Sequence, residues 1–268
     1  MTGGPAGVAQ PSRVSCESAG ADGWGDDVPL GETAEALHLD LSDLVPDQVN
    51  PLFLTRLAAC RHQCSRHGMP LRCTAEAPAL GRGESLIPVM HVTDAEMIDR
   101  VVQDLSTDFE SPDTKVTAAI VNPLLIAISE LGENATTHGA SENGAWVAAR
   151  HERGWCSVTV GDLGMGIPRH ISKRVPELDD DGVAIKRAVE QGASGAGKQR
   201  GVGYGGLIKD LTCPEIDHAR LRVWSGAGRF TVAFQAGEAV HSQVEAVPVA
   251  TAGTWVSVDL SSSYPPTA

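Results

Sequence analysis

Hydrophobic and polar positions begin to alternate at Ala36. Leu37, Leu39 and Leu41 are separated by His38 and Asp40, which is the period of a half-buried strand. Leu52–Arg66 then carries Leu54, Leu57, Ala58 and Cys64 at helical spacing, and after a break at Gly68 the run Met69–Cys73 reads as a second strand. Strand, crossover helix and strand predict a parallel pair in a small β-α-β unit. A unit this short buries too little surface to stand alone, so it is expected to lean on the remainder of the chain. Residues 1–30, rich in Gly, Ser, Ala and Asp, show almost no periodic apolar pattern and are expected to be a disordered tail.

Further along, Ala75–Pro88 reads as a linker of Pro, Gly and polar residues. Thr93–Leu105 reads as a helix with Thr93 and Glu96 spaced as a capping box. Thr114–His138 is the longest helical pattern, with Val121, Leu124, Leu125, Ile128 and Leu131 on its apolar side and Gly139 as the stop. Strands are expected at Ala145–Arg150 and Cys156–Gly161, joined by a turn at Glu152–Gly154. A helix near Val183–Gln191 leads into the glycine-rich stretch Gly192–Gly206 and a short helix Ile208–Leu211. Strands Ala219–Ser225, Phe230–Gln235 and Trp255–Leu260 close the pattern. Helices before and between antiparallel strands predict an α/β fold, a two-layer α/β sandwich over residues 89–262. The small unit and its linker occupy 33–88, and the tail 1–32.

Composition changes this picture little: of 268 residues, 42% are hydrophobic and 21% charged, as in ordinary globular chains. Aromatics at 4% leave the core to Leu, Val, Ile and Ala. The net charge of −13 argues against nucleic acid and anionic membrane as partners, since both need clustered Lys and Arg. No stretch has the length of a membrane span, and Met1–Gln10 lacks the basic and apolar regions of a signal peptide. A cytoplasmic protein is expected. Cys60, Cys64 and Cys73, with His62 and His67 between, superficially offer metal ligands. Yet two of these cysteines lie one turn apart inside a helical pattern and the third in a strand, so buried reduced thiols are the better reading.

Three segments carry candidate chemistry. In Glu130-Leu-Gly-Glu-Asn134-Ala-Thr-Thr-His138, steps of four residues advance about 40° around a helix, so Glu130, Asn134 and His138 share a face. An amide oxygen one turn from a carboxylate suits a Mg²⁺–phosphate site, and the carboxylate can activate an attacking water or hydroxyl; an ordinary solvated face has the same pattern. In Val158-Thr-Val-Gly-Asp162-Leu-Gly164-Met-Gly166-Ile167-Pro168 a strand runs into an aspartate followed by alternate glycines. A carboxylate there can accept a hydrogen bond from an exocyclic amine, or simply begin a turn. In Arg200-Gly201-Val-Gly203-Tyr-Gly205-Gly206 several glycines precede a short helix. They suit backbone amides wrapping phosphates, or a flexible loop.

The order of these boxes, completed by Gly253-Thr254 entering the last strand, resembles the GHKL ATPase superfamily. The resemblance covers about Asp94–Leu260 and implies a Bergerat-type fold binding ATP with Mg²⁺. It implies Asn134 as Mg²⁺ ligand, Asp162 as reader of the adenine amino group, and Gly164, Gly166 and Ile167 as pocket residues. It further implies Gly201, Gly203 and Gly205 as a phosphate lid, Thr254 as support for the adenine–Asp162 network through water, and His138 near phosphate. Glu130 is similar to the base of gyrase-like ATPases and anti-sigma serine kinases, where histidine kinases usually carry Asn. Tyr204 and Gly206 depart from the usual lid pattern. Leu37–Thr74 resembles half of a STAS-like domain, with Pro51 near the place of the antagonists' phosphorylatable Ser or Thr.

Gly192-Ala-Ser-Gly-Ala-Gly-Lys198-Gln199 mimics a Walker A loop, but Gln199 replaces the required Ser or Thr and a helix rather than a strand precedes it. Two functional classes stand open. One is an ATPase or serine-kinase-like regulator acting through a protein partner, and the other a non-catalytic ATP-dependent binding module. Glu130 favours the first, because binding alone needs no base.

Overall fold

The computed structural model describes residues 12–15, 37–40, 50–66, 68, 71–73, 87–109, 116–138, 143–152, 155–173, 175, 178, 180–191 and 203–261. Two sheets organise them. The smaller has three parallel strands, β1 (Ser12–Ser15), β2 (Leu37–Asp40) and β3 (Leu71–Cys73), in the order β1-β2-β3. The expected parallel pairing of β2 with β3 across helix α1 (Pro51–Arg66) is present. Ser12–Ser15, inside the segment expected to be disordered, is a strand. The rest of that segment, residues 75–86 of the linker and the Walker-like stretch lie outside the described residues.

The larger sheet is antiparallel and five-stranded, in the order β4-β5-β6-β8-β7. Its strands are β4 (Ile87–Val92), β5 (Ala145–Glu152), β6 (Trp155–Asp162), β7 (His218–Gln235) and β8 (Glu238–Ser261). Helices α2 (Ala95–Phe109), α3 (Ala118–His138), α5 (Asp181–Gln191) and α6 (Gly203–Leu211) make the α layer on one face, with the short α4 (Ile167–Ser172) packed against α5. The chain has the expected two-layer α/β sandwich.

Strand alternation sorts the two faces. Val158 and Val160 of β6, Leu221 and Val223 of β7, and Val256 and Val258 of β8 join Leu124, Ile128 and Leu131 of α3 in the main core. The intervening residues point to the opposite face. There Trp146, Trp224 and Trp255 are buried with Leu52 and Ala59 of α1. Arg56 of α1 stands 5.2 Å from the Trp224 ring centre and 5.6 Å from that of Trp255, a cation–π geometry. Cys60 and Cys64 are buried on the same helix. The small unit thus leans on the larger sheet through α1, as its size requires. Farther along that face Asp259 accepts from Ser157 Oγ at 2.7 Å, Arg222 Nη2 at 2.9 Å and Arg220 Nε at 3.1 Å.

Several boundaries differ from the sequence reading. Ile87–Val92 is the edge strand β4 of the large sheet, so residues 87–88 belong with it rather than with the linker. Pro88 at an edge removes no interior ladder bond, which is how a strand hid in a Pro-containing stretch. Helix α2 is capped by Asp94, whose Oδ1 accepts from Met97 N at 2.9 Å, and not by Thr93, whose hydroxyl donates to Asp94 at 3.1 Å. This capping bond is the largest cause holding the Asp94 carboxyl below its ordinary pKa. Ala219–Ser225 and Phe230–Gln235 are two parts of one strand, β7, paired with the long β8 across register shifts at Ser225–Gly228. Helix α6 begins at Gly203, five residues before the expected start.

Candidate functional site

Register places three polar residues side by side. Asp162, the last residue of β6, pairs with Thr254 of β8, and Thr254 pairs with Ser225 of β7. All three share the parity of Val160, Val223 and Val256, so the row projects toward the α layer at one end of the sheet. One residue earlier or later on each strand runs the row behind it: Trp146, Gly161, Trp255 and Trp224. A Cβ on Gly161 would sit 2.0 Å from the Trp255 ring. Glycine before Asp162 is thus demanded by the tryptophan on the far face, while Asp162 turns to the near one.

Two more glycines shape the row. Gly253 has φ +71° and a Cβ there would lie 2.0 Å from the Asp162 carbonyl oxygen. Gly166 has φ +79°, and its Cβ would approach Ser225 Oγ to 2.8 Å. Side chains larger than hydrogen would push these loops off the strand ends.

Asp162 is buried. It accepts from Gly164 N at 2.6 Å and also from the backbone N–H of Thr254. Burial nevertheless dominates and pushes its carboxyl up to about 6, the two backbone donors only moderating the rise. A folded-state value above the ordinary 3.8 means that the protonated form favours folding. That contribution is complete below about pH 4 and is lost as pH rises through about 6. A buried carboxylate that weakens its own fold at neutral pH is a candidate for function.

Ser225, fully buried, knits the row to its loops. Its hydroxyl accepts from Ile167 N at 2.9 Å, donates to Gly253 O at 2.7 Å and lies 3.2 Å from Thr254 Oγ1. Sequence reasoning missed it. A serine ending an apolar–polar alternation has no distinguishing signal until register sets it beside Thr254.

The structure therefore brings Asp162, Gly164, Gly166, Ile167 and Thr254 together. Glu130 and Asn134 stand half-buried on α3, the helix packed over β6 and against α6. His138 ends α3. Gly203 and Gly205, expected in a loop, lie in the first turn of α6, and Gly201 lies outside the described residues. Tyr204 in that turn packs on the core; burial and then the Asp162 charge raise its phenol above the ordinary range. The N-terminal turn of α6 is therefore on the Asp162 side of the sheet.

No protein-family model and no curated protein matches the sequence. Among solved structures the chain is similar to the B subunit of DNA gyrase from Myxococcus xanthus, at 16% identity and a TM-score of 0.25, over 42% of this chain and 29% of that one. It is likewise similar to the 43K ATPase domain of Thermus thermophilus gyrase B in complex with an aminocoumarin, at 23% identity and a TM-score of 0.23, over 42% and 26%. The chain thus matches less than a third of the length of either protein. Superpositions this loose decide nothing about chemistry. No described helix is long and apolar enough to cross a membrane.

Proposed function

We propose that the chain is a GHKL-type protein that binds ATP with Mg²⁺ at the end of β6, β8 and β7, under α3 and α6. The observation that carries this reading is the row Asp162–Thr254–Ser225, with a buried, hydrogen-bonded carboxylate facing the α layer beside glycines that keep the strand ends open. Asn134 on α3 supplies a neutral oxygen suited to Mg²⁺, which takes most of its other ligands from water and phosphate. Backbone amides at the start of α6, with no side chains on Gly203 and Gly205 to obstruct them, suit phosphate. Bound Mg²⁺ would neutralise phosphate charge, while Glu130, one turn before Asn134, would orient or deprotonate the attacking water or hydroxyl. The role is that of an ATPase or serine-kinase-like regulator in the cytoplasm, acting through a protein partner. The STAS-like unit, docked through α1, is the natural surface for that partner. Calorimetric titration of the purified chain with Mg²⁺-ATP tests the binding, expected in the micromolar range or weaker; silence at millimolar ATP would refute it. A chain that binds but neither hydrolyses ATP nor transfers phosphate is a non-catalytic ATP-dependent module.

Acid should switch this binding off. Protonation turns one carboxylate oxygen into a donor and removes the charge that strengthens acceptance from an amine, so with Asp162 titrating at about 6 the affinity should fall about tenfold from pH 7 to pH 5. Protonation of Asp162 favours the fold, so its own titration would not unfold the protein over this range. Calorimetry at pH 5, 6 and 7 with saturating Mg²⁺ checks it. A flat profile would remove the Asp162 carboxylate as the base-reading acceptor.

A further inference from the structure

The hydrogen bonds around Ser225 fix which way the neighbouring hydroxyl can point, and this bears on which purine the pocket accepts. A serine hydroxyl has one proton and two lone pairs. The proton of Ser225 is committed to Gly253 O at 2.7 Å, and one lone pair takes Ile167 N–H at 2.9 Å. Only a lone pair remains for Thr254 Oγ1 at 3.2 Å, so Thr254 must be the donor in that contact. The half-buried Thr254 hydroxyl is left with lone pairs alone for anything in front of it. Its neighbour across the register, Asp162, is likewise an acceptor as a carboxylate, and it already receives Gly164 N–H and Thr254 N–H. Two adjacent acceptors invite a donor, such as the exocyclic amine of a 6-amino purine. A 6-oxo purine would set oxygen against oxygen and leave polar groups unpaired, which costs far more than a missing contact gains.

We propose that Ser225 is a specificity-determining residue: by taking the Thr254 hydroxyl proton it holds Thr254 as an acceptor and favours 6-amino over 6-oxo purine nucleotides. The inference rests on the adenine-nucleotide reading of the site. In contrast to Asp162, Ser225 need not touch the base, since it acts through Thr254.

The test is the ratio of affinities for Mg²⁺-ATP and Mg²⁺-ITP, whose bases differ at the 6 position and the adjoining ring nitrogen. Wild type should prefer ATP. In Ser225→Ala the Thr254 hydroxyl is free to turn and donate to a 6-oxo group, and the preference should fall about tenfold. A serine with only a supporting role would weaken both nucleotides together and leave the ratio alone. Thr254→Val should lose the same share of the preference, and adding Ser225→Ala to it should change the ratio no further. Thermal melting establishes that each variant is folded. Ser225→Cys, similar in shape but a weak hydrogen-bonding partner, serves should the alanine variant not fold, with the same loss expected. An unchanged ratio in either folded Ser225 variant would overturn the inference, as would a wild type that binds ATP and ITP alike. A wild type that binds neither nucleotide would instead refute the pocket itself.

Discussion

Replacing Asp162 by asparagine is expected to weaken Mg²⁺-ATP about 100-fold while leaving the fold intact or firmer. The two effects share one cause. Burial raises the carboxyl from 3.8 to about 6, so the ionised side chain costs the folded state about 3 kcal/mol at neutral pH. Asparagine removes that cost. It keeps one acceptor oxygen but turns the other into an NH₂ group, which then faces either a backbone donor (Gly164 N–H or Thr254 N–H) or the nucleotide amine. Exchanging a charge-assisted acceptor for a repelling donor loses about 2–3 kcal/mol of binding, hence the factor. The stability gain is partly offset by the bond to one backbone amide that asparagine cannot accept. Calorimetry gives the affinity and thermal melting at pH 7 gives the stability. Equal ATP affinity in the two proteins would overturn the adenine assignment. A melting temperature that collapses would show Asp162 to be a structural anchor for Gly164 and Thr254 instead.

The two-layer architecture was legible because its signals are periodic. The α3 pattern, with Leu124, Ile128 and Leu131 on one side, meets the alternating Val158 and Val160 of β6 across one core. Strand β4 was not legible. Six residues with a proline near the start have neither the length nor the cleanness of alternation to stand out, and their pairing with β5 is supplied by a strand far away in sequence. The sequence pattern ends one strand at Ser225 and starts another at Phe230, whereas β7 runs unbroken from His218 to Gln235 with register shifts against β8 at Ser225–Gly228. The spacing of Thr93 to Glu96 fits a capping box, yet Asp94 beside it is an equally good cap by type, and geometry gives the cap to Asp94.

At the site, strand ends and glycines were visible while cross-strand neighbours were not. Asp162 stands at the end of a recognisable strand with glycines behind it, a local pattern. Ser225 gains its place only through register with Thr254, some thirty residues later in the chain. The packing of α1 on the far face is equally non-local. Trp146, Trp224 and Trp255 read as isolated aromatics in three strands, and nothing in their spacing shows that one row holds them around Gly161. Each of Gly161, Trp224 and Trp255 is the chain neighbour of a residue in the polar row. A helix pressed on one face therefore backs the polar row Asp162–Thr254–Ser225 on the other.

Glu130→Ala is expected to separate chemistry from binding, lowering turnover by about 10²–10⁴ while ATP affinity stays within about threefold. Glu130 and Asn134 are one turn apart on α3 and both half-buried, so removing the carboxylate leaves the amide oxygen for Mg²⁺ in place. Nor does the change touch the row Asp162–Thr254–Ser225. Alanine is a good helix former, so α3 itself should not loosen. A carboxylate that only supported the helix or paired with a neighbour would, when removed, shift stability and affinity together and spare the ratio of turnover to binding. Glu130→Gln sharpens the contrast, because it preserves size and much of the hydrogen bonding but cannot accept a proton as a base. The measurement is steady-state phosphate release or phosphate transfer to a partner protein, set beside calorimetric affinity for a non-hydrolysable ATP analogue. Full turnover in both variants would place the base elsewhere. If the wild-type protein shows neither hydrolysis nor transfer while still binding ATP, Glu130 has no chemistry to lose, and the nucleotide serves to set the conformation that a partner recognises.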